Sequence, residues 1–186
     1  MKRNEELLEN ARARSGSKWY LVKKSAFSCC KNILLPAFIF YILLAYVFGV
    51  AIVNGISMKP TLQDRSIVVM RRVGADKPSR GDIVVFRSDT YNNGENLIKR
   101  VIAIGGDTID IDSDTGVVYI NGKQIDEPYI NNSATYSGFG VKMPLVVPDD
   151  CVFVMGDNRG CSVDSRFAVI GCVPKEKIIG IILFKG

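Results

Sequence analysis

Residues 49–62 read GVAIVNGISMKPTL, and at this stretch the chain changes character. To its left runs Ile33 to Val53, ILLPAFIFYILLAYVFGVAIV, 21 residues without a charge and without a polar face. At about 1.5 Å of rise per residue, a helix of roughly 20 residues crosses the hydrocarbon core of a bilayer. To its right, short β-type runs alternate with turn residues. The reading is therefore one N-terminal transmembrane helix over 33–53, preceded by a basic segment over 1–32. An all-β, antiparallel domain follows over 54–186, barrel-like or built of two sheets.

Charge orients this arrangement. The first 32 residues hold eight Lys/Arg and three Glu, which accounts for the whole net charge of +5. By the positive-inside rule the N-terminus stays in the cytoplasm and the β domain faces outward. The apolar run is too long for the core of a cleaved leader, so it reads as an uncleaved anchor in the phospholipid bilayer. A basic pI of this origin gives no reason to expect nucleic acid. Of five cysteines, Cys151, Cys161 and Cys172 fall in the outward part, enough for one bridge at most. Without histidine or a CxxC pair, no metal or cofactor is expected.

In the β domain the runs are 65–73, 82–86, 97–104, 108–112, 116–120, 151–156 and 177–186. Asn121-Gly122 is a strong hairpin signal, and 107–150 reads as a subsidiary hairpin lobe. Arg80-Gly81-Asp82 opens a strand. The segment 110–116, DIDSDTG, spaces its carboxylates like a calcium loop but lacks the glycine and the final glutamate, so it reads as a turn. Asn131-Asn132-Ser133 is a glycosylation sequon.

Ser57 stands four residues after the apolar run, and a serine nucleophile needs a base. With no histidine, a lysine must serve, and a lysine is a useful base only if desolvation lowers its pKa from about 10.4. Period-2 alternation puts Leu97, Lys99, Val101 and Ala103 on one strand face, so Lys99 is the candidate. Asp157, Arg159, Asp164 and Arg166 alternate in sign between two apolar runs. They can form a mutually neutralised network, with Ser162 and Ser165 supplying hydroxyls.

Four segments in order, SMKPTL (57–62), RGDIVVF (80–86), KRVIAIGGD (99–107) and GDNRGCSVDSR (156–166), together with the anchor, resemble bacterial type I signal peptidase, the membrane-bound Ser–Lys leader peptidase. The resemblance implies Ser57 as nucleophile and Lys99 as general base. It also implies Ser162 hydrogen-bonded to the lysine amine, with Asp157, Arg159, Asp164 and Arg166 supporting the site. Met58, Leu62 and Ile98 would line the pocket for a small substrate side chain. Secretory preproteins would be the substrates, bound extended against a sheet edge by a monomeric enzyme.

Two positions depart from the family's pattern. Some members carry, two residues before the nucleophile, a serine whose hydroxyl helps bind the oxyanion; here Gly55 stands there, so the donors are expected from the backbone at Ser57 and Gly55. Gly105 replaces a frequent proline, which is expected to loosen its turn. The alternatives are a catalytically silent, membrane-tethered β-domain that binds exported proteins, and a relative of the self-cleaving Ser–Lys repressors.

Overall fold

A computed structural model describes residues 30–91, 94–130, 135–136 and 139–185. Cys29, most of the basic segment and the sequon at 131–133 lie outside the described residues. A π-type turn, Cys30–Leu34, leads into helix α1, Leu35–Val47, none of whose residues is buried.

The boundary at residue 53 is corrected. Helix α1 stops at Val47, and Phe48–Ile52 forms strand β1, paired antiparallel with β2, Ile67–Arg71. Gly49 is buried there, and a Cβ on it would lie 2.7 Å from Met70 Cε and 2.8 Å from Arg72 Nε, the ends of two flexible side chains packed over the strand. Phe48, Val50 and Ile52 face outward although they are apolar. With both faces apolar, the switch from helical to strand periodicity leaves no polar alternation in the sequence. Thirteen helical residues rise only about 20 Å. Among the described residues no helix is long and apolar enough to cross a membrane.

The remaining strands are β3 (Ile83–Arg87), β4 (Asn96–Ile104), β5 (Thr108–Ile111), β6 (Val118–Ile120), β7 (Lys123–Gln124), β8 (Leu145–Val146), β9 (Cys151–Met155), β10 (Val173–Pro174) and β11 (Ile178–Lys185). They build a seven-stranded sheet in the order β1-β2-β11-β3-β4-β9-β10 and a four-stranded one in the order β7-β6-β5-β8. All described pairings are antiparallel. The fold is thus mostly β, with two antiparallel sheets.

The expected 107–150 lobe supplies the smaller sheet but does not have a core of its own. Ile109, Ile111, Val118 and Ile120 share one cluster with Ile102, Ala103, Phe153 and Met155 of the larger sheet. Each of these side chains except Ala103, fully buried, stabilises by roughly 1.5–3 kcal/mol, so the two sheets support each other. Asn121 and Gly122 take φ of 53° and 75°, as the two-residue hairpin between β6 and β7 requires. Of the 110–116 segment, Asp110 and Ile111 end β5 and the turn follows from Asp112, whose carboxylate accepts from the N–H groups of Asp114 and Thr115.

The Gly105 turn is tight rather than loose. It is closed by Gly106 N–H to Val147 O at 2.9 Å and Asp107 N–H to Ile104 O at 3.0 Å. Arg80, of the RGD string, pairs with Asp107 behind it. A Cβ on Gly105 would lie 2.6 Å from the Asp149 Cα, a backbone atom that cannot step aside. Gly105→Ala is therefore expected to destabilise by about 2 kcal/mol or more. A thermal melt matching wild type would contradict this.

Candidate active site

Strands β1 and β2 are joined by the loop 53–66, which carries Ser57. Its ends are closed by Val53 N–H to Ser66 O at 2.9 Å and Arg65 N–H to Val53 O at 2.8 Å. Gly55 enters the loop at φ +97°, a conformation that side chains other than glycine rarely adopt. Its N–H donates to Asp64 Oδ1 at 2.7 Å. Gly55 is therefore not available as the oxyanion donor anticipated for it. The Ser57 N–H donates to no carbonyl among the described residues.

Lys99 lies in β4 and is 4% exposed. Its Nζ is 2.8 Å from Ser57 Oγ and 3.0 Å from Ile98 O. Burial is the chief reason its pKa falls from 10.5 to about 8; Arg166 pushes the same way, while Asp164 and Asp157 oppose. Burial outweighs that opposition, and each carboxylate also has a guanidinium partner of its own. Asp164 takes Arg166 Nε and Nη2, both at 2.8 Å. Asp157 takes Arg100 Nε at 2.8 Å and Nη2 at 2.6 Å. Arg159 pairs with Glu127. Three buried guanidiniums thus meet three carboxylates, and among the described residues Lys99 has no salt bridge of its own.

The loop after β9 carries the rest. Asp164, with no exposed surface, also accepts from Gly156 N–H at 3.0 Å. Arg159 Nε donates to Gly156 O at 3.1 Å, and Arg166 Nη2 to Arg159 O at 2.9 Å. Gly156 permits the close approach of the two loops: a Cβ there would stand 2.6 Å from Ser57 O and 2.5 Å from Ser162 Cβ. Ser162 is buried at this junction. Its Oγ has no hydrogen-bond partner among the described residues, so the expected bond to Lys99 is not made here. Ser165 Oγ instead accepts from Val154 N–H.

The expected pocket residues divide. Met58 and Leu62 are each 1% exposed and belong to a small core with Val53 and Val68, whereas Ile98 packs on that core and keeps surface. A fully buried side chain cannot wall an open pocket, so only Ile98 is placed to do so. Sequence reading missed Arg100, Glu127, Tyr129 and Asn158. Arg100 is buried, lies 4.0 Å from the centroid of the Tyr129 ring, and reaches Gly81 O at 2.8 Å. Its adjacency to Lys99 disguised it, since neighbouring strand residues point to opposite faces.

Residues 26–185 match the family described as signal peptidase, peptidase S26. The chain belongs to the signal peptidase S26 family. A signal peptidase I of Bacillus licheniformis is 39% identical over 168 residues, covering 85% of this chain and 87% of its own. A signal peptidase I S of Bacillus subtilis is 36% identical over 169 residues, at 85% and 87%. A crystal structure of an Enterococcus faecalis signal peptidase I is 32% identical, with a TM-score of 0.47, covering 57% of this chain and 97% of that one. As a signal peptidase, this chain is a serine endopeptidase that removes signal peptides from preproteins.

Proposed function

We propose that the reaction runs on a Ser57–Lys99 dyad, held at the outer face of the plasma membrane, and cleaves exported preproteins after small residues. The observation that carries this reading is the 2.8 Å separation of Lys99 Nζ from Ser57 Oγ inside a buried niche. As a neutral amine, Lys99 accepts the hydroxyl proton across that distance while Oγ attacks the scissile carbonyl. The ammonium then protonates the leaving amine, and the regenerated amine activates the water that hydrolyses the acyl-enzyme. The Ser57 N–H is one oxyanion donor. The ion pairs of Asp157, Asp164 and Glu127 hold the loop rigid without re-protonating the lysine.

The substrate has a place to lie. Strand β4 pairs with β3 along Asn96–Arg100 but with β9 only from Arg100 onward. Among the described residues no strand covers the other flank of Asn96–Lys99. An extended presequence segment adds a strand there, which brings its scissile bond beside Lys99 and Ser57 with a small side chain against Ile98. A signal sequence has an apolar core in the bilayer and its cleavage site just after it. The exposed apolar residues of α1, and Phe48, Val50 and Ile52 on β1, suit attachment to that membrane by a monomer.

The test is cleavage of one secretory precursor by the full chain in detergent micelles, with the cut site read by mass spectrometry. Wild type should cut after a small residue, and Ser57→Ala should leave the precursor intact while keeping its far-UV spectrum. Cleavage by the variant at the wild-type rate would overturn the reading.

A further inference from the structure

Resting on the Ser57–Lys99 reading, we infer that Asn158 is a positioning residue which aims the Ser57 N–H at the developing oxyanion by gripping the peptide that precedes it. Asn158 stands at the N-cap of the short 3₁₀ turn Arg159–Cys161, where an asparagine side chain ordinarily bonds the turn's own N–H groups. It makes no such bond. Its Nδ2 instead crosses to the other loop and donates to Ile56 O at 3.1 Å, while its backbone N–H donates to Ser57 O at 2.9 Å. One residue therefore holds both carbonyls that flank the nucleophile's N–H. Because the acceptor is a carbonyl, the atom facing it must be the amide nitrogen.

The consequence follows from peptide geometry. The Ile56–Ser57 bond is trans, so the C=O of Ile56 and the N–H of Ser57 share a plane and point in opposite directions. Pinning the carbonyl fixes the direction of the N–H. Lys59 N–H also donates to Ile56 O, at 3.1 Å, but that bond lies within the same turn and moves with it. Asn158 is what ties the turn to the loop of Ser162 and Asp164. The tie matters more in this chain because Gly55 carries no hydroxyl and its N–H is spent on Asp64. The Ser57 N–H is thus a donor whose aim the site cannot afford to lose.

The experiment compares Asn158→Ala and Asn158→Asp with wild type in the full chain. Losing a direct oxyanion donor costs about 10²–10³ in kcat; loosening its aim should lower kcat roughly 10- to 100-fold with KM unchanged. Asn158→Asp, equal in size but lacking the donor, should be no better than Asn158→Ala. The decisive readout is a peptidyl boronic acid, which adds to Ser57 Oγ and places a tetrahedral oxygen in the oxyanion position. Its affinity should fall by the same factor as kcat, while a non-covalent cleaved presequence binds as before. Both constants are read on folded protein, so partial unfolding changes neither. The acid limb of the Asn158→Ala rate profile should stay where wild type has it. Unchanged kcat in both variants, a loss confined to KM, or boronate affinity at the wild-type value would each overturn the inference. If Ser57→Ala and Lys99→Ala are inactive while the Asn158 variants behave as wild type, the dyad stands and only Asn158's role falls.

Discussion

Lys99→Met should abolish presequence cleavage, by about ten-thousand-fold or more, while making the folded protein more stable at neutral pH. The two effects have one cause. The lysine is buried, and desolvation holds its pKa near 8 against 10.5 when free. In wild type, activity should therefore climb with pH through about 8, as the ammonium becomes the amine that accepts the Ser57 proton. Stability follows the same shift. Between about 8 and 10.5 the unfolded chain binds the proton and the native one does not, so native stability rises with pH across that window. Below it, both states are protonated and the native state bears the full cost of a buried ammonium, on the order of 3 kcal/mol. Methionine, similar in length and uncharged, removes that cost. Urea melts of wild type and Lys99→Met at pH 7 and pH 11 read the difference, which should be present at the lower pH and absent at the higher. A variant no more stable at pH 7 would mean that the niche is wetter than the geometry implies.

Asp164→Asn is expected to unfold much of the protein's margin. Asp164 has no exposed surface and holds Arg166 at two points as well as the Gly156 N–H. Amidation leaves a buried guanidinium without its counter-charge, and breaking one member of a buried pair costs about 3–5 kcal/mol. Domains of this size have roughly 5–15 kcal/mol in total. Gly156 touches both Ser57 and Ser162, so what remains folded should also cleave poorly. Any residual activity should show its acid limb moved below that of wild type, because Asp164 raises the Lys99 pKa and its removal lowers it. A melting curve within a degree or two of wild type would sink the argument.

Other parts of the molecule show how far pattern reading extends. Strands β2 to β6, β9 and β11 lie within or beside the runs expected of them, because each alternates or is bounded by turn residues, and β7 is implied only by the Asn121-Gly122 hairpin signal. Strand β1 was hidden: its outward face is as apolar as its inward one. Strands β8 and β10, two residues each, are too short to show a period. In the site, Lys99 was singled out by three apolar neighbours on its face, and the 157–166 charges by their alternation. Glu127 and Asn158 carried no such signal. One sits in an irregular segment and meets Arg159 across 32 positions; the other reaches Ile56 across 102.

The amino-acid order alone determined the β class of the domain, its hairpins, the absence of any histidine base and the small set of groups able to replace one. These follow from local periodicity, turn chemistry and composition, which act over a few neighbouring residues. Tertiary structure alone decided where the helix yields to β1, which carboxylate neutralises which guanidinium, and that Met58 and Leu62 are core. It also set the burial that draws the Lys99 pKa down. Those outcomes depend on desolvation and on contacts between distant segments, and both exist only once the two sheets have closed on one another.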